Sequence, residues 1–215
     1  MDNIIIVTGG TIQDDLLLQV MNDYNGSYII GVDKGIETLY RLGIDADLVL
    51  GDFDSASADI RIYYENHPNI IVLQPEKDFT DTHVAVLEAL KQNPSRVILV
   101  GATGTRIDHM LANINMLKLC LEKKVDAFIV DDNNRIRMID KQCKIEKKTL
   151  YGKYISCIPF SDKVTGITLK GFKYPLTDAT MIKEDSLGIS NELREEEGLI
   201  TIDTGYLLVM ETKDS

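Results

Sequence analysis

Between Ile4 and Val130 the chain repeats one pattern: a short apolar run without alternation, a polar or glycine-containing turn, then a stretch of helical periodicity. The runs are Ile4–Val7, Tyr28–Val32, Leu48–Leu50, Ile70–Leu73, Arg96–Val100 and Val125–Val130. A strand with one face in water alternates; a run that does not is buried on both faces, and strand–helix repeats achieve this in a parallel sheet covered by helices on both sides. Right-handed crossovers then put every strand C-terminus on one edge, where such sheets bind ligands. Helical patterns follow at Leu16–Met21, Ile36–Leu42 and Val84–Lys91, the last with Val84, Leu87 and Leu90 in phase. After Gly101–Gly104 comes a long helix whose Ile107, Leu111, Ile114, Leu117 and Leu121 predict a core-facing stripe.

After about Lys141 the character changes. Ile155–Phe160, Val164–Leu169, Leu199–Ile202 and Tyr206–Met210 are short and β-rich, with turn signals at Ser161-Asp162, Gly171 and Gly205. Arg194–Glu197 reads as a solvated hairpin tip. The expected architecture is an α/β domain over residues 1–140 and an all-β domain, a sandwich or barrel, over 141–215. With 215 residues and 44% hydrophobic content, a real core is within reach. A formal net charge of -11 argues against nucleic acid or an anionic membrane as the main partner. Cys120, Cys143 and Cys157 lie far apart without zinc-ligand spacing, and no run approaches membrane-spanning length. The N-terminus lacks a basic region and a long apolar one, so the expectation is a soluble, cytoplasmic protein.

Acids collect where the strands end. Asp33 closes the second run; Asp52 and Asp54 follow the third in Gly51-Asp-Phe-Asp-Ser55; Lys77-Asp-Phe-Thr-Asp81 follows the fourth; Arg106-Ile-Asp108 opens the long helix. On one sheet edge so many carboxylates repel unless some are protonated or a cation sits among them. Oxygen ligands without a Cys/His set favour Mg²⁺. Lys77 and Arg106 supply positive groups for a polyphosphate, and the Gly101–Thr105 turn offers backbone N–H groups at a helix start, although no Gly-Lys-Ser/Thr of a P-loop follows. Together these point to phosphoryl or pyrophosphoryl transfer. Each member also has a structural reading: an acidic helix cap for Asp52–Ser55, a solvated loop lysine for Lys77, an ion pair and cap for Arg106 and Asp108, structural histidines at His83 and His109, and polar helix surface for Asn113.

In order along the chain, Val32-Asp-Lys-Gly35, Gly51-Asp-Phe-Asp-Ser55, Lys77-Asp-Phe-Thr-Asp-Thr82, Gly104-Thr-Arg-Ile-Asp-His109 with Asn113, Gly166-Ile-Thr168, Gly171, Tyr174-Pro-Leu176 and Ser190-Asn-Glu192 resemble the thiamine pyrophosphokinase family. The resemblance implies an N-terminal α/β catalytic domain, a C-terminal β-sandwich, and a homodimer with thiamine bound between subunits. It implies the conversion of ATP and thiamine to AMP and thiamine diphosphate. By motif, Asp52, Asp54 and Asp81 are similar to Mg²⁺ ligands. Asp33, Lys77, Thr80, Arg106 and Asp108 are similar to nucleotide, polyphosphate and site-organising residues, and Ser190 with Asn191 to part of a thiamine pocket. Asp52, Asp54, Asp81, Arg106 and Asp108 would form the catalytic set.

Two departures stand out: Lys34 and Thr105 occupy places where the family usually has glycine. Without tryptophan, an aromatic wall for thiamine would come from Tyr174 or Phe172. Two other readings compete. One is a Mg²⁺-dependent phosphohydrolase with Asp52 as nucleophile and Asp54 as acid/base; the other is a non-catalytic thiamine or nucleotide binder that lost turnover through Lys34 or Thr105.

Overall fold

The computed structural model describes residues 2–52, 58–73 and 78–214. Asp54, Ser55 and Lys77 therefore lie outside the described residues. The chain divides into two compact units, Met1–Asp132 and Asn133–Ser215.

The first unit follows the repeat. Its elements are β1 (Asn3–Val7), α1 (Asp14–Asp23), β2 (Tyr28–Val32), α2 (Lys34–Arg41), β3 (Leu48–Gly51), α3 (Ala58–Glu65), β4 (Ile70–Val72), α4 (Asp81–Lys91), β5 (Arg96–Val100), α5 (Ile107–Glu122) and β6 (Asp126–Val130). The strands pair in parallel throughout, in the order β6-β5-β1-β2-β3-β4. Ile4, Ile5, Ile6 and Val7 are fully buried, as a strand covered on both faces requires. Removing each such side chain from water contributes about 1.5–3 kcal/mol. After β4 the chain crosses back through α4, which packs on β1, β2 and β3, and re-enters beside β1 as β5. Sequence order thus reverses between β1 and β5, the crevice where open parallel sheets take their ligands.

Two helical stripes differ from expectation. In α4 the fully buried face is Ala85, Val86 and Ala89, with Val84, Leu87 and Leu90 only partly covered, because small alanines let the helix approach the sheet closely. In α5 the buried face is Asn113, Ile114, Leu117 and Cys120, while Ile107 and Leu111 are 65% and 56% exposed. The helix starts beyond the strand ends, so its first turns have no sheet beneath them.

The second unit contains β7 (Asn134–Ile139), β8 (Gln142–Glu146), β9 (Tyr154–Pro159), β10 (Lys163–Lys170), β11 (Leu176–Ile182), β12 (Asn191–Glu192), β13 (Glu197–Thr201) and β14 (Leu207–Thr212). They form two antiparallel layers, β12-β9-β14-β7 and β11-β10-β13-β8. Ile145, Ile155, Cys157, Val164, Ile167, Leu169, Met181, Ile200, Leu207 and Val209 fill the space between them, which makes the unit a β-sandwich. The unit begins at Asn133, earlier than the expected boundary after residue 140, because β7 pairs along its whole length with β14. Among the described residues no helix is long and apolar enough to cross a membrane.

Candidate active site

The ends of β1 and β5 are tied to each other. Thr8 N–H donates to Val100 O at 2.9 Å, Gly10 N–H to Gly101 O at 2.8 Å and Thr11 N–H to Thr103 O at 2.9 Å. The approach is so close that a Cβ on Gly10 would stand 2.1 Å from Thr103 O and 2.2 Å from Gly101 O. Gly101 itself turns with φ +73°. Asn113, buried on α5, donates from Nδ2 to Ala102 O at 2.8 Å and so fixes the loop from beneath. The hydroxyls of Thr8 and Thr82 meet at 2.8 Å, both buried, joining this loop pair to the start of α4.

A cavity of about 450 Å³ opens above these loops. Thr8, Gly9 and Gly10 line one side, Gly101–Arg106 another, and Asp33, Lys34, Glu37, Asp52, Ile60, Thr80, Asp81 and Thr82 the rest, with His109, Met110 and Asn113 from α5. Thus Asp33, Asp52, Thr80, Asp81 and Arg106, taken from the sequence as site residues, come together in one place.

Each is held by local structure. Asp33 makes the turn from β2 into α2 with φ 47° and ψ -126°, a region unfavourable to a side-chain-bearing residue. That strain is of the order of 1–3 kcal/mol and persists only where surroundings enforce it. Here Asp33 N–H donates to Leu50 O at 3.0 Å and its carbonyl accepts from Ile36 N–H at 3.1 Å. Thr80 caps α4, its Oγ1 accepting from His83 N–H at 3.2 Å, and puts Asp81 on the first turn, where a helix favours negative charge. Asp52 follows Gly51 at the tip of β3.

Asp108 does not line the cavity but grips Arg106 from behind, with Nε–Oδ1 at 3.2 Å and Nη2–Oδ2 at 2.7 Å. This bidentate pair occupies two of the five guanidinium N–H groups and leaves others to a ligand. Hydrogen bonding from Arg106 moves the Asp108 carboxyl from 3.8 down to about 2, and Asp108 in turn raises the guanidinium. A lowered carboxyl pKa means that the pair's contribution is complete above the ordinary carboxylate value and is lost as pH falls through the lowered one. Carbon-detected NMR titration should therefore find Asp108 ionised down to about pH 2. With Arg106→Gln, its midpoint should rise toward the ordinary value.

Asp54 and Lys77 lie outside the described residues. Among the described residues no three acidic, histidine or cysteine side chains stand together as a metal cluster. Asp52 and Asp81 do share the cavity, and their carboxylates are the hard donors that Mg²⁺ prefers.

Ser190 and Asn191 belong to the second unit. Ser190 is exposed at φ +56°, with its N–H donating to Ser156 Oγ at 3.0 Å. Asn191 is buried: Oδ1 accepts from Tyr174 N–H at 3.0 Å and Glu192 N–H at 2.9 Å, while Nδ2 donates to Tyr174 O at 2.8 Å. Its amide is thus a clamp on the Tyr174 segment. Asn191→Ala should strip three hydrogen bonds and lower the urea-unfolding free energy by about 2–4 kcal/mol. Phe172 is part of the sandwich core and forms no wall for a ligand, whereas Tyr174 is 60% exposed.

From sequence, Thr8-Gly9-Gly10 and Glu37 carry no site role, whereas Thr103 belongs to the Gly101–Thr105 turn, Thr82 closes the Lys77–Thr82 motif, and Asn113 stands both in the family motif and as helix surface. The only signal for the first was a glycine pair directly after a buried strand and before a helix.

Residues 22–129 match the family described as "Thiamin pyrophosphokinase, catalytic domain", and residues 142–207 match "Thiamin pyrophosphokinase, vitamin B1 binding domain". The chain belongs to the thiamine pyrophosphokinase family. It is 37% identical to the thiamine pyrophosphokinase of Bacillus subtilis (strain 168) over 186 residues, which covers 86% of this chain and 87% of that one. A crystal structure of the B. subtilis enzyme superposes with a TM-score of 0.89 at 35% identity, covering 100% of both chains. That of Geobacillus thermodenitrificans thiamin pyrophosphokinase gives 0.86 at 33% identity, covering 99% of this chain and 98% of the other. These likenesses span both units, so the α/β domain and the β-sandwich are family features.

Proposed function

We propose that the chain transfers the pyrophosphoryl group of MgATP to the hydroxyl of thiamine, giving thiamine diphosphate and AMP. The observation that carries this reading is the cavity at the β1/β5 reversal. It combines two interlocked glycine-containing loops that let a ligand approach the backbone closely, an arginine held in a bidentate grip, and the carboxylates of Asp33, Asp52 and Asp81. Such a site suits a polyphosphate with a divalent cation.

Asp52 and Asp81, with Asp54, would hold Mg²⁺. The ion is commonly bound by one or two carboxylates, the rest of its shell being phosphate oxygens and water. When bound, it would neutralise charge on the transferring phosphates. Arg106, steadied by Asp108, donates to phosphate oxygens, and Lys77 adds a second cation. Asp33 and Thr80 shape the walls against the nucleotide. The thiamine hydroxyl oxygen bonds to the β-phosphorus in line, and the bond from that phosphorus to the α,β-bridging oxygen breaks, so that AMP leaves with the electron pair. The hydroxyl proton passes to solvent or to a cavity carboxylate.

Ser190 contributes to the thiamine pocket directly, and Asn191 by fixing the Tyr174 segment. Exposed Tyr174, Leu187 and Ile189 in the same stretch of the second unit support a face covered by thiamine and a second copy of the chain in a homodimer. The three cysteines are buried thiols, in keeping with a cytoplasmic enzyme.

The test is chromatography of purified protein with MgATP, with and without thiamine. AMP that appears only with thiamine, matched by thiamine diphosphate, supports the reading. ADP or inorganic phosphate formed without thiamine would replace it by the phosphohydrolase, and nucleotide binding without turnover by the non-catalytic binder.

A further inference from the structure

Helix α2 begins against the end of β1. A Cβ on Gly35 would lie 2.2 Å from Val7 O, and a Cβ on Gly9 would lie 3.4 Å from Lys34 Cβ. The base of the Lys34 side chain is therefore fixed beside the Thr8-Gly9-Gly10 loop, and Lys34 lines the cavity. The cavity is rich in acid: Asp33, Glu37, Asp52 and Asp81 all face it. Its other described lysine or arginine, Arg106, is already gripped by Asp108. Lys34 takes part in no ion pair among the described residues, although Glu37 lies one turn along the same helix and lines the same cavity. A cation anchored at its base and uncommitted at its tip is suited to an anion supplied from outside.

We propose that Lys34 recognises the β- and γ-phosphates of the nucleoside triphosphate and thereby sets the preference for triphosphate over monophosphate. This rests on the nucleotide reading of the cavity given above.

The test is calorimetric titration of the full-length chain with Mg²⁺ and either a non-hydrolysable ATP analogue or AMP, for the wild type, Lys34→Ala, Lys34→Gln and Lys34→Arg. A charge-assisted phosphate contact predicts that Lys34→Ala and Lys34→Gln weaken the triphosphate about tenfold, leave AMP within about twofold, and that Lys34→Arg recovers to within about threefold of wild type. Lys34 is exposed at the first helical position, so thermal melts of the variants should overlay that of the wild type. Unchanged triphosphate affinity in the neutral variants, or equal loss of triphosphate and AMP, overturns the proposal. A wild type that binds neither nucleotide overturns the nucleotide reading itself and this proposal with it.

Discussion

Asp52→Asn lowers kcat for AMP formation by about a thousandfold, on the order of 4 kcal/mol of transition-state stabilisation, without lowering the melting temperature. The side chain sits just past the tip of β3, where the strand itself is held by burial and backbone hydrogen bonds. Leu48, Val49 and Leu50 are buried, Leu50 O accepts from Asp33 N–H at 3.0 Å, and Gly51 O accepts from Leu73 N–H at 2.9 Å. Asparagine keeps the volume and most hydrogen-bonding capacity but loses the negative charge that a divalent cation and its polyphosphate require. Because the protein should remain folded, the whole loss should appear in turnover and in the Mg²⁺ concentration needed for half-maximal rate. Steady-state kinetics across a Mg²⁺ series is the check. A variant within tenfold of wild type at every concentration would remove Asp52 from the metal assignment.

Gly10→Ala should be severely damaging in both stability and nucleotide binding. The added carbon would meet two backbone carbonyls, Thr103 O at 2.1 Å and Gly101 O at 2.2 Å. Neither can turn aside as a flexible side chain would. Relief requires the loops to part by about an ångström, which breaks the Gly10 N–H to Gly101 O and Thr11 N–H to Thr103 O bonds and strains the buried Thr8–Thr82 hydroxyl contact. A loss of about 3 kcal/mol or more in urea unfolding is expected, with ATP-analogue binding lost even where the chain remains folded. Gly104→Ala is the comparison: its Cβ would stand 3.2 Å from Thr11 N, so a few tenths of an ångström suffice. It should cost far less. Equal stability of the two variants would mean that the loop junction is softer than its geometry indicates.

The parallel sheet was readable because burial on both faces leaves an unmistakable trace, apolar runs such as Ile4–Val7 that do not alternate. The acids were readable for the same reason, since a strand's end fixes where Asp33 and Asp52 go. The start of the second unit was not. In β7 the sequence Asn-Arg-Ile-Arg-Met-Ile looks like a polar connection, yet Arg135 is taken inside by a partner far along the chain. Glu211, itself buried on β14, receives Arg135 Nη2 at 2.7 Å and Nε at 2.9 Å. An arginine reads as solvent until its carboxylate is located.

The glycine loop escaped notice for a related reason. Gly9-Gly10 is an ordinary turn by composition, and only the crossover that brings β5 beside β1 gives it the 101–103 backbone to meet. For Asn113, one of the residues of the family motif, the structural alternative was helix surface, because an amide on a helix usually lies there; here its partner is the Ala102 carbonyl. Ile107 and Leu111 went the other way, keeping helical phase with the core while lying past the end of the sheet.

The central claim, that both terminal phosphates move together, is tested most directly by following label from ATP carrying radioactive phosphorus at the β position. The account predicts that in the presence of Mg²⁺ and thiamine all transferred label enters thiamine diphosphate and none remains with the nucleotide product. Label retained in ADP, or released as inorganic phosphate without thiamine, would contradict it.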